Sequence, residues 1–399
     1  MTERIYYSEP ARRSFDAVVT VVVEHEGAPA LVLDRTAFYP TSGGQPFDTG
    51  RLGTTEVVNT IDDGERVLHV VSALPRGDRL NVGDAVHGEI DWTRRFDHMQ
   101  QHTGQHVLSA AFDRVLDNRT MSFHMGGETS TIDLAREAAP ADVERCVDEA
   151  NRVVWEDRPV AIRFASPKEA ARLPLRKEPV REGPLRLIEV ADFDLSACGG
   201  THVARTGEIG LIAVTAVEKF RGGSRLTFVC GSRALRALRG YRDAVAGSVR
   251  SLSVLPHELP AAVERIQADG KQARKTIARL QSELAVHEAV RLIAASPVVD
   301  GVRRSAHVLD GWDAAGLKAV ASYMIAESNV VAALVGMSAP IAIVVARSPD
   351  VALDANAVLQ QLLKRFGGRG GGKPELAQGA GLIGDPQEIV AAAGELLGS

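Results

Sequence analysis

The chain has 399 residues, and its 46 Lys and Arg against 51 Asp and Glu give a net charge of -5 at pH 7. This balance excludes binding through a basic field over the whole surface, although a local basic face remains compatible with RNA. The 3 cysteines are too few for a disulfide framework and the apolar runs are too short for a signal core or a membrane span, so a cytoplasmic protein without a membrane partner is expected.

Residues 1–92 are predicted to form an antiparallel β-barrel domain. Short runs of Val and Ile at period two alternate with clusters of Gly, Asp and Asn, which is typical of antiparallel strands in a small barrel or a curled sheet. The segment AFYPTSGGQPFDTG lies between two such strands and is too rich in Gly and Pro to be the interior of an element. At about 150 residues per domain, the length leaves room for two or three domains.

Residues 93–231 are predicted to form an α+β domain. A helical pattern covers 94–116, and a second amphipathic helix covers 140–155. Strand-like segments follow in the order RLIEVADFDL, EIGLIAVTAVEKF and RLTFVCG. Helices and strands that are not strictly alternating indicate an α+β fold class.

Residues 232–296 are predicted to form a helical arm. Two long helices are broken at Leu255 and Pro256, and apolar residues of the second recur at alternating steps of four and three. This heptad seam consists of Leu259, Val263, Ile266, Gly270, Ala273, Ile277, Leu280 and Leu284. Charged residues flank it, which favours a helical hairpin over a globular core. A solvated spacer helix is the alternative.

Residues 297–399 are predicted to form a small α/β domain. Strand-like runs alternate with helices near 314–326 and 356–366, and a last helix is predicted around 388–397. Between the last two helices lies GGRGGGKPELAQGAG, which is predicted to be a flexible glycine-rich loop.

The segment HTGQH indicates a metal site. Because residues i and i+4 lie on one face of a helix, His102 and His106 can offer two imidazoles to one ion. A zinc protease is disfavoured, since Thr103 stands where the protease motif has its glutamate. His98 lies one turn earlier and is either a third ligand or an ordinary polar residue of the helix.

The segment ACGGTHV supplies the other half of this site. Cys198 and His202 lie in a tight, glycine-bearing loop after a predicted strand, and one thiolate with three imidazoles suits tetrahedral zinc. The sequence therefore predicts one Zn²⁺ per chain, with His98 as a spare residue. Four protein ligands are typical of a structural ion, whereas catalytic zinc keeps one position open, and both roles remain open here.

These motifs together resemble a known family. HTGQH and CGGTH, preceded by FYPTSGGQPFDTG and followed by RTGEIG, resemble the editing domain of alanyl-tRNA synthetase and the free-standing alanyl-tRNA editing proteins of the AlaX group. The tail GGRGGGKPELAQGAG resembles the glycine-rich motif of the DHHA1 domain that ends alanyl-tRNA synthetases. The order of barrel, editing core, arm and DHHA1 domain resembles the long AlaX form. Because the chain begins at the barrel, no aminoacylation core is expected.

The resemblance implies hydrolysis of the ester in tRNA(Ala) mischarged with serine or glycine. A synthetase pocket sized for alanine rejects these two amino acids by only about 1 to 3 kcal/mol. A second site that hydrogen-bonds the serine hydroxyl discriminates better, because alanine would leave its polar group unpaired.

The resemblance also implies roles for particular residues. The zinc ligands are His102, His106, Cys198 and His202. The expected catalytic and substrate-binding residues are Gln105, Ser122, Thr41, Gln45, Gly43, Gly44 and His124. Gln105 stands where many synthetase editing sites have threonine, and Ser122 where some have glutamine. A tight barrel loop without a ligand is the alternative for TSGGQ, and packing on the second helix is the alternative for His124. Cys146 and Cys230 are expected to be buried small hydrophobes.

A basic patch in the tail is the predicted tRNA contact. It consists of Lys364, Arg365, Arg369 and Lys373. Backbone amides and cations of this kind can hold phosphates. The alternative is a glycine-rich turn that stabilises the domain or a dimer, and the resemblance does not choose between tRNA binding and a homodimer through the arm or the C-terminal domain.

Two other functions are compatible with parts of the sequence. A DHH phosphoesterase would need an Asp-His-His cluster, to which only Asp97 and His98 come near. A non-catalytic module would combine a structural zinc with a tRNA-binding arm. It would bind seryl-tRNA without accelerating its deacylation.

Overall fold

The computed structural model describes residues 1–72, 80–176 and 184–398. Residues 73–79 of the predicted first domain and 177–183 of the second lie outside the described residues. The chain divides into two compact units, Met1–Gly247 and Ser248–Ser399. The predicted boundaries at 92, 231 and 296 remain predictions. The α+β class is confirmed.

The N-terminal part of the first unit is built from eight strands among its described residues. These are β1 (Glu3–Arg4), β2 (Ser14–His25), β3 (Ala28–Leu33), β4 (Arg35–Thr36), β5 (Gly50–Leu52), β6 (Thr55–Asp63), β7 (Arg66–Val71) and β8 (Ala85–Ile90). Of these, β1 and β4 pair in parallel and the others pair antiparallel. Six of them pair in the order β2-β3-β7-β6-β5-β8, and β8 pairs back with β2, so the hydrogen-bonded ring is closed. Along β2, Phe15, Ala17 and Val19 point inward while their neighbours are exposed, which is the period of a half-buried strand.

The rest of the first unit surrounds one long helix. Its elements are α1 (Trp92–Leu116), β9 (Thr120–Met125), β10 (Ser130–Leu134), α2 (Pro140–Trp155), β11 (Val160–Ala165), α3 (Pro167–Ala170), β12 (Leu185–Val190), β13 (Asp194–Ala197), β14 (Ile212–Phe220), β15 (Gly223–Cys230) and α4 (Gly231–Leu252). The strands form two sheets, β14-β15-β10-β9 and β11-β12-β13. Both α1 and α2 pack into the main core of this unit.

Helix α1 begins two residues before the predicted start. Its N-cap is Asp91, whose side chain accepts a hydrogen bond from the backbone N–H of Arg94 and satisfies a donor that the first turn leaves unpaired. From His98 to Phe112 the helix is buried on all sides, so its polar residues must find partners within the protein.

The second unit consists of a long helix followed by a mixed sheet with helices. Its elements are α5 (Leu259–Ala295), β16 (Val298–Val299), β17 (Val302–Leu309), α6 (Ala314–Met324), β18 (Val330–Gly336), β19 (Ile341–Arg347), α7 (Ala355–Phe366), β20 (Arg369–Gly372), β21 (Leu376–Leu382) and α8 (Pro386–Leu397). Near its C-terminal end α5 buries Ala285, Ala289 and Leu292 in a core shared with α6. The seam residues Val263, Ile266 and Ile277 are exposed.

The C-terminal sheet differs from the predicted α/β arrangement. Its order is β16-β17-β18-β19-β21-β20, and the pair β17 and β18, joined through α6, is parallel while the other described pairs are antiparallel. The turn at 337–340 is too short for a crossover, so β18 and β19 must pair as a hairpin. Among the described strands of this sheet, the parallel pairing expected of an α/β domain is therefore present between β17 and β18 alone.

The prediction of a flexible glycine loop at the tail is wrong. Residues Arg369–Gly372 form β20, which pairs with β21 at the edge of the sheet. A Cβ at Gly370 or Gly372 would overlap the backbone of β21, so these glycines permit a close approach of two strands. Within the described residues, no helix is both long and apolar enough to cross a membrane.

Candidate metal centre

Four side chains converge in the first unit to form a candidate metal site. His102, His106, Cys198 and His202 each offer one ligand atom, and these atoms lie within 4.8 Å of one another. Zn–N bonds of about 2.0 to 2.1 Å and Zn–S bonds of about 2.3 Å place the corners of a zinc tetrahedron roughly 3.3 to 3.6 Å apart. The Sγ of Cys198 lies 3.3 Å from Nε2 of His102 and 3.4 Å from Nε2 of His202. The donor set and its spacing fit Zn²⁺.

Helix α1 and the loop after β13 bring these ligands together. The rings of His102 and His106 lie on one helical face with centroids 5.5 Å apart, and the ring of His202 lies 4.5 and 4.7 Å from them. The loop approaches α1 so closely that a Cβ at Gly200 would overlap the ring of His102. Glycine at 200 is therefore required for the thiolate and the imidazoles to meet.

A half-buried arginine holds this loop in place. Arg186 on β12 donates through Nη1 to the carbonyl oxygens of Cys198 and Gly200, at 2.7 and 2.9 Å. Its Nε donates to the carbonyl oxygen of Tyr7 at 2.8 Å. Because three carbonyl groups share one guanidinium, the backbone around the cysteine has a defined position.

Gln45 orients the first imidazole. Its Oε1 accepts hydrogen bonds from Nδ1 of His102 at 2.9 Å and from the backbone N–H of Thr201 at 3.0 Å. Its Nε2 donates to the hydroxyl of Thr201 at 2.8 Å. An Nδ1–H that donates to an amide oxygen leaves the lone pair on Nε2, which is the nitrogen that faces Cys198.

Asp194 orients the second imidazole. Its carboxylate accepts a hydrogen bond from Nδ1 of His106 at 3.0 Å, and it also pairs with Nε of Arg176 at 2.7 Å. The hydroxyl of Ser196 donates to the same carboxylate. A carboxylate behind a histidine is the usual outer support of a zinc ligand.

Thr103 orients the third imidazole. Its hydroxyl oxygen lies 3.2 Å from Nδ1 of His202 and accepts a hydrogen bond from the backbone N–H of Val203 at 3.1 Å. All three imidazoles are thus held through Nδ1, and their Nε2 atoms remain for the metal. A histidine cluster with only a packing role would not need this common arrangement.

The electrostatics of the cluster favour a thiolate. Burial opposes ionisation of Cys198, but the charges of His102 and His202 and the hydrogen bonds from His102 and His106 outweigh it and hold the pKa of the thiol well below its usual value. Burial and the charge of His102 lower the pKa of His202 to about 3. Burial also opposes charge on His106, yet the hydrogen bonds to Asp194 and Cys198 raise its pKa to about 9. Thiolate and neutral imidazole are the forms that bind metal, so an ion bound here would displace the proton that the raised pKa keeps on His106.

His98 lies outside the four-residue cluster that the described residues form. It is buried, its Nδ1 has no partner among the described residues, and burial lowers its pKa to about 4. The neighbouring Asp97 is committed to an ion pair with Arg233 at 2.7 Å. This pair ties α1 to the start of α4 and leaves the phosphoesterase alternative without the aspartate that it needs.

The other predicted site residues have contacts of their own. Gln105 is buried on α1 and donates through Nε2 to the hydroxyl of Ser109 at 2.8 Å. The hydroxyl of Ser122 on β9 donates to the carboxylate of Asp133. His124 on the same strand is exposed. Of these residues, none is among the partners of the four ligands described above.

The turn that carries TSGGQ lies beside the cluster. Thr41, Gly43 and Gly44 are exposed, whereas Gln45 is fully buried. A Cβ at Gly44 would lie 3.1 Å from the ring of Phe123, and that ring is 5.5 Å from the ring of His102. The turn and β9 therefore approach the cluster from neighbouring directions.

The residues predicted to bind tRNA are exposed in the second unit. Lys364 and Arg365 lie in the last turn of α7, Arg369 begins β20, and Lys373 lies in the turn before β21. Cys146 and Cys230 are fully buried away from the cluster, as predicted.

Sequence reasoning missed Asp194 and Arg186. A signal for Asp194 was present, because Asp194 and Ser196 alternate along one predicted strand and Cys198 follows at the same period directly after it. Arg186 lies on β12, which pairs with β13, and the loop that it holds follows β13. No pattern in the residues near Arg186 indicated this contact.

The comparisons with known proteins agree with this geometry. Residues 12–94 match the family of tRNA synthetases class II (A), residues 185–226 match the threonyl and alanyl tRNA synthetase second additional domain, and residues 303–399 match the DHHA1 domain. The second of these matches contains Cys198 and His202.

Relatives cover nearly the whole chain. The chain is 37% identical over 95% of its length to the alanine–tRNA ligase of Methanoculleus marisnigri, 35% identical over 100% to that of Natronomonas pharaonis, and 33% identical over 95% to that of Pyrococcus furiosus. It covers 41%, 44% and 42% of these relatives, so it spans less than half of their length. The crystal structure of the C-Ala domain from Aquifex aeolicus alanyl-tRNA synthetase is 24% identical over 26% of this chain and 96% of that one, but its TM-score of 0.24 carries no weight.

The matches to a synthetase additional domain, which contains two residues of the His₃Cys cluster, and to a DHHA1 domain define a protein related to the alanyl-tRNA synthetases. Within this group the chain is AlaX-like, as its motifs predicted.

Proposed function

We propose that the chain is a hydrolase that deacylates mischarged tRNA(Ala), chiefly Ser-tRNA(Ala) and also Gly-tRNA(Ala), with one Zn²⁺ per chain. The observation that carries the proposal is the cluster of His102, His106, Cys198 and His202, with each imidazole held through Nδ1. The match of residues 185–226 to an additional domain of threonyl and alanyl synthetases supports it.

The chain's own residues would prepare the site for ester hydrolysis. When bound, Zn²⁺ supplies Lewis-acid polarisation of a carbonyl oxygen and a lowered pKa for a bound water. Gln45, Asp194 and Thr103 keep the ligand nitrogens aligned, so little reorganisation is needed when charge develops on the ester. The exposed glycines Gly43 and Gly44 would let backbone amides approach the ribose or the carbonyl oxygen, and Thr41 adds a hydroxyl.

Selection of serine requires a polar group that reads its hydroxyl. Gln105 uses Nε2 for Ser109, so its Oε1 is the atom that it would offer to the substrate. Ser122 and His124 flank Phe123 on β9, but successive side chains of a strand alternate in direction, so only the resemblance supports their assignment. We assign these residues to the substrate pocket as proposals, and alanine would be spared because it leaves the polar group unpaired.

The second unit would hold the tRNA. Lys364, Arg365, Arg369 and Lys373 are exposed near one another along the chain, and Arg365 has a weak ion pair with Glu395 at 4.0 Å. Phosphate contacts by such residues make binding sensitive to salt. A homodimer through the arm or the C-terminal domain is a further prediction, to which the exposed seam of α5 gives support.

A non-catalytic tRNA-binding module is the second candidate. It is favoured by one observation, namely that the cluster offers four protein ligands, as closed structural zinc sites do. Such a protein would keep its zinc and its affinity for tRNA but would not accelerate deacylation.

The deciding experiment compares the deacylation rates of seryl-tRNA(Ala) and alanyl-tRNA(Ala). The native protein, Cys198→Ala and the control Cys146→Ala would be assayed for rate and for zinc content. We expect rapid loss of serine with alanine spared in the native protein and in the control, since Cys146 is buried away from the cluster. Cys198→Ala should lose both zinc and activity.

Two results would change the conclusion. If neither ester is hydrolysed faster than in buffer while tRNA still binds, the chain is a binding module. If Cys198→Ala loses its zinc but hydrolyses seryl-tRNA(Ala) at the native rate, the cluster has only a structural role.

A further inference from the structure

A cavity of about 450 Å³ in the first unit is bordered by Asp194, which supports a metal ligand, while none of the four ligands is among the described residues of its lining. One wall is the end of α1, which carries Arg114. A second wall is formed by β12, β13 and the turn between them, and the third by residues 174–176. The volume lies within the range of about 300 to 1,000 Å³ that is usual for ligand pockets.

Most carboxylates of this lining already have a cationic partner. The ion pairs are those of Asp194 with Arg176 at 2.7 Å, of Glu189 with Arg163 at 2.9 Å and of Asp113 with Arg119 at 3.9 Å. Asp192 is exposed and has no ion pair among the described residues. The lining therefore offers little unpaired negative charge to a cationic ligand.

Two arginines of the lining keep hydrogen-bond donors free. The guanidinium of Arg114 lies 4.8 Å from the ring centre of Phe193, and within the described part of the chain it has no ion pair or hydrogen bond. Arg176 uses Nε and Nη2 for Asp194, so its Nη1 has no partner there. Because the free donors belong to two cations, the cavity suits an anion.

One carboxylate joins the cavity to the metal cluster. Oδ2 of Asp194 accepts a hydrogen bond from Nδ1 of His106 at 3.0 Å, and Oδ1 accepts one from Nε of Arg176 at 2.7 Å. The side chain of Asp194 is 1% exposed and that of Arg176 is 15% exposed, so Arg176 extends from the buried carboxylate to the cavity. An anion on Nη1 of Arg176 would fix the guanidinium that holds Asp194.

The charges around the cavity favour a small anion over an RNA backbone. A single phosphate group meets the free donors of Arg114 and Arg176, and two parallel N–H groups of a guanidinium match two of its oxygens. A chain of phosphates would also pass the carboxylates at the rim, including the unpaired Asp192, and would be repelled by them.

We propose that this cavity binds a small phosphate-bearing molecule through Arg114 and Nη1 of Arg176, and that its occupancy is coupled to that of the metal site through Asp194. The coupling is positive, because an ion in the cluster adds positive charge beyond Asp194. Linkage makes it reciprocal, so zinc strengthens phosphate binding by the same factor by which phosphate strengthens zinc binding. The molecule would act as an effector of the metal site, and the inference does not depend on the proposed deacylase activity.

The test measures binding of inorganic phosphate by equilibrium dialysis, with sodium chloride keeping the ionic strength constant. Zinc-free and zinc-loaded protein are compared, and the zinc content of each is assayed. The native protein should show one saturable site per chain, with an affinity several-fold higher in the zinc-loaded form.

Two variants separate the site from the coupling. Arg114→Ala should weaken phosphate binding about tenfold, as expected for the loss of a charge-assisted hydrogen bond, and should keep the effect of zinc. Arg176→Lys retains a cation beside Asp194, but one ammonium group cannot hold both the carboxylate and a phosphate as a guanidinium does, so the effect of zinc should disappear. The control Arg145→Ala removes an exposed cation of α2 outside the lining and should behave as the native protein.

Each part of the proposal has its own contrary result. Absence of saturable phosphate binding, or equal affinity in Arg114→Ala and Arg145→Ala, would overturn the site. Equal affinity in zinc-free and zinc-loaded native protein would overturn the coupling. Displacement of bound phosphate by uncharged tRNA(Ala) would show that the cavity contacts RNA and would overturn the assignment to a small molecule. No ester is hydrolysed in these measurements, so failure of the deacylase function would leave their outcome unchanged.

Discussion

The amide oxygen of Gln45 accepts a hydrogen bond from Nδ1 of His102 over 2.9 Å. The two residues are 57 positions apart in the chain, and the contact joins the turn between β4 and β5 to the helix that carries two metal ligands. Gln45 thus holds His102 in the tautomer and orientation that a zinc ligand would need.

Replacing Gln45 by leucine should therefore weaken zinc binding about 10-fold to 100-fold, since outer partners of metal-bound histidines have effects of this size. The affinity would be measured by competition with a chromophoric chelator. Gln105→Leu is the control, because Gln105 is also buried on this side of the protein but donates to Ser109. Equal zinc affinity in Gln45→Leu and the native protein would contradict the assigned role.

Two adjacent glycines offer a matched test of the close approach between the loop and α1. A Cβ at Gly200 would overlap the ring of His102, whereas a Cβ at Gly199 would meet Cε1 of Tyr7 at an ordinary 3.7 Å. Gly200→Ala should displace the imidazole and lower the bound zinc well below one per chain, while Gly199→Ala should retain it. The measurement is the zinc content after dialysis. Full occupancy in Gly200→Ala would show that the loop moves enough to accommodate a methyl group, so that glycine is not required at this position.

The ion pair of Arg95 and Asp48 should be important for stability. Both side chains are fully buried, and Arg95 also donates to the carbonyl oxygens of Pro10 and Ala37, so α1 and the turn that carries Gln45 are held together. Because Asp48→Asn leaves a buried guanidinium without its counter-charge, we expect a loss of about 3 to 5 kcal/mol in the free energy of unfolding.

Denaturant titration would measure this loss. The control Arg145→Ala breaks an exposed pair and should change the free energy by less than about 1 kcal/mol. A loss for Asp48→Asn as small as that of the control would mean that the buried pair is dispensable.

His69 predicts a pH dependence of stability. Burial lowers its pKa to about 4, although the hydrogen bond to the carbonyl oxygen of Leu31 opposes the shift, and its other nitrogen contacts the hydroxyl of Thr36. The unfolded chain, with a histidine pKa of about 6.5, binds the proton first, so the neutral folded form is favoured above pH 6.5. This contribution, up to about 3 kcal/mol, is lost as the pH falls from 6.5 to 4.

The free energy of unfolding would be followed from pH 7 to pH 4 for the native protein and for His69→Gln, and the difference between the two curves isolates this residue. The native curve should fall more steeply with decreasing pH than the curve of His69→Gln. Parallel curves for His69→Gln and the native protein would exclude the assignment.

The metal ligands were accessible to sequence reasoning because their signals are local. His102 and His106 share a helical face through their spacing alone, and Cys198 and His202 lie within one short loop. Helix α2 was predicted with its observed bounds for the same reason, since an amphipathic period is visible in the residues that form it.

The glycine-rich tail shows where such reasoning fails. A run of glycines has the composition of a flexible loop, but β21 supplies hydrogen bonds and leaves no room for side chains at Gly370 and Gly372. Composition indicates the conformational freedom of an isolated segment. In the folded protein, pairing with β21 gives residues Arg369–Gly372 an extended conformation.

The sequence by itself determined the donor set of the metal site, the family and the order of the main elements, because residue type and short-range periodicity carry this information. Only the tertiary structure decided that Gln45, Asp194 and Thr103 hold the three imidazoles and that a cavity opens beside Asp194. Such contacts depend on the packing of α1 against distant strands, and packing between elements leaves no periodic trace in the chain.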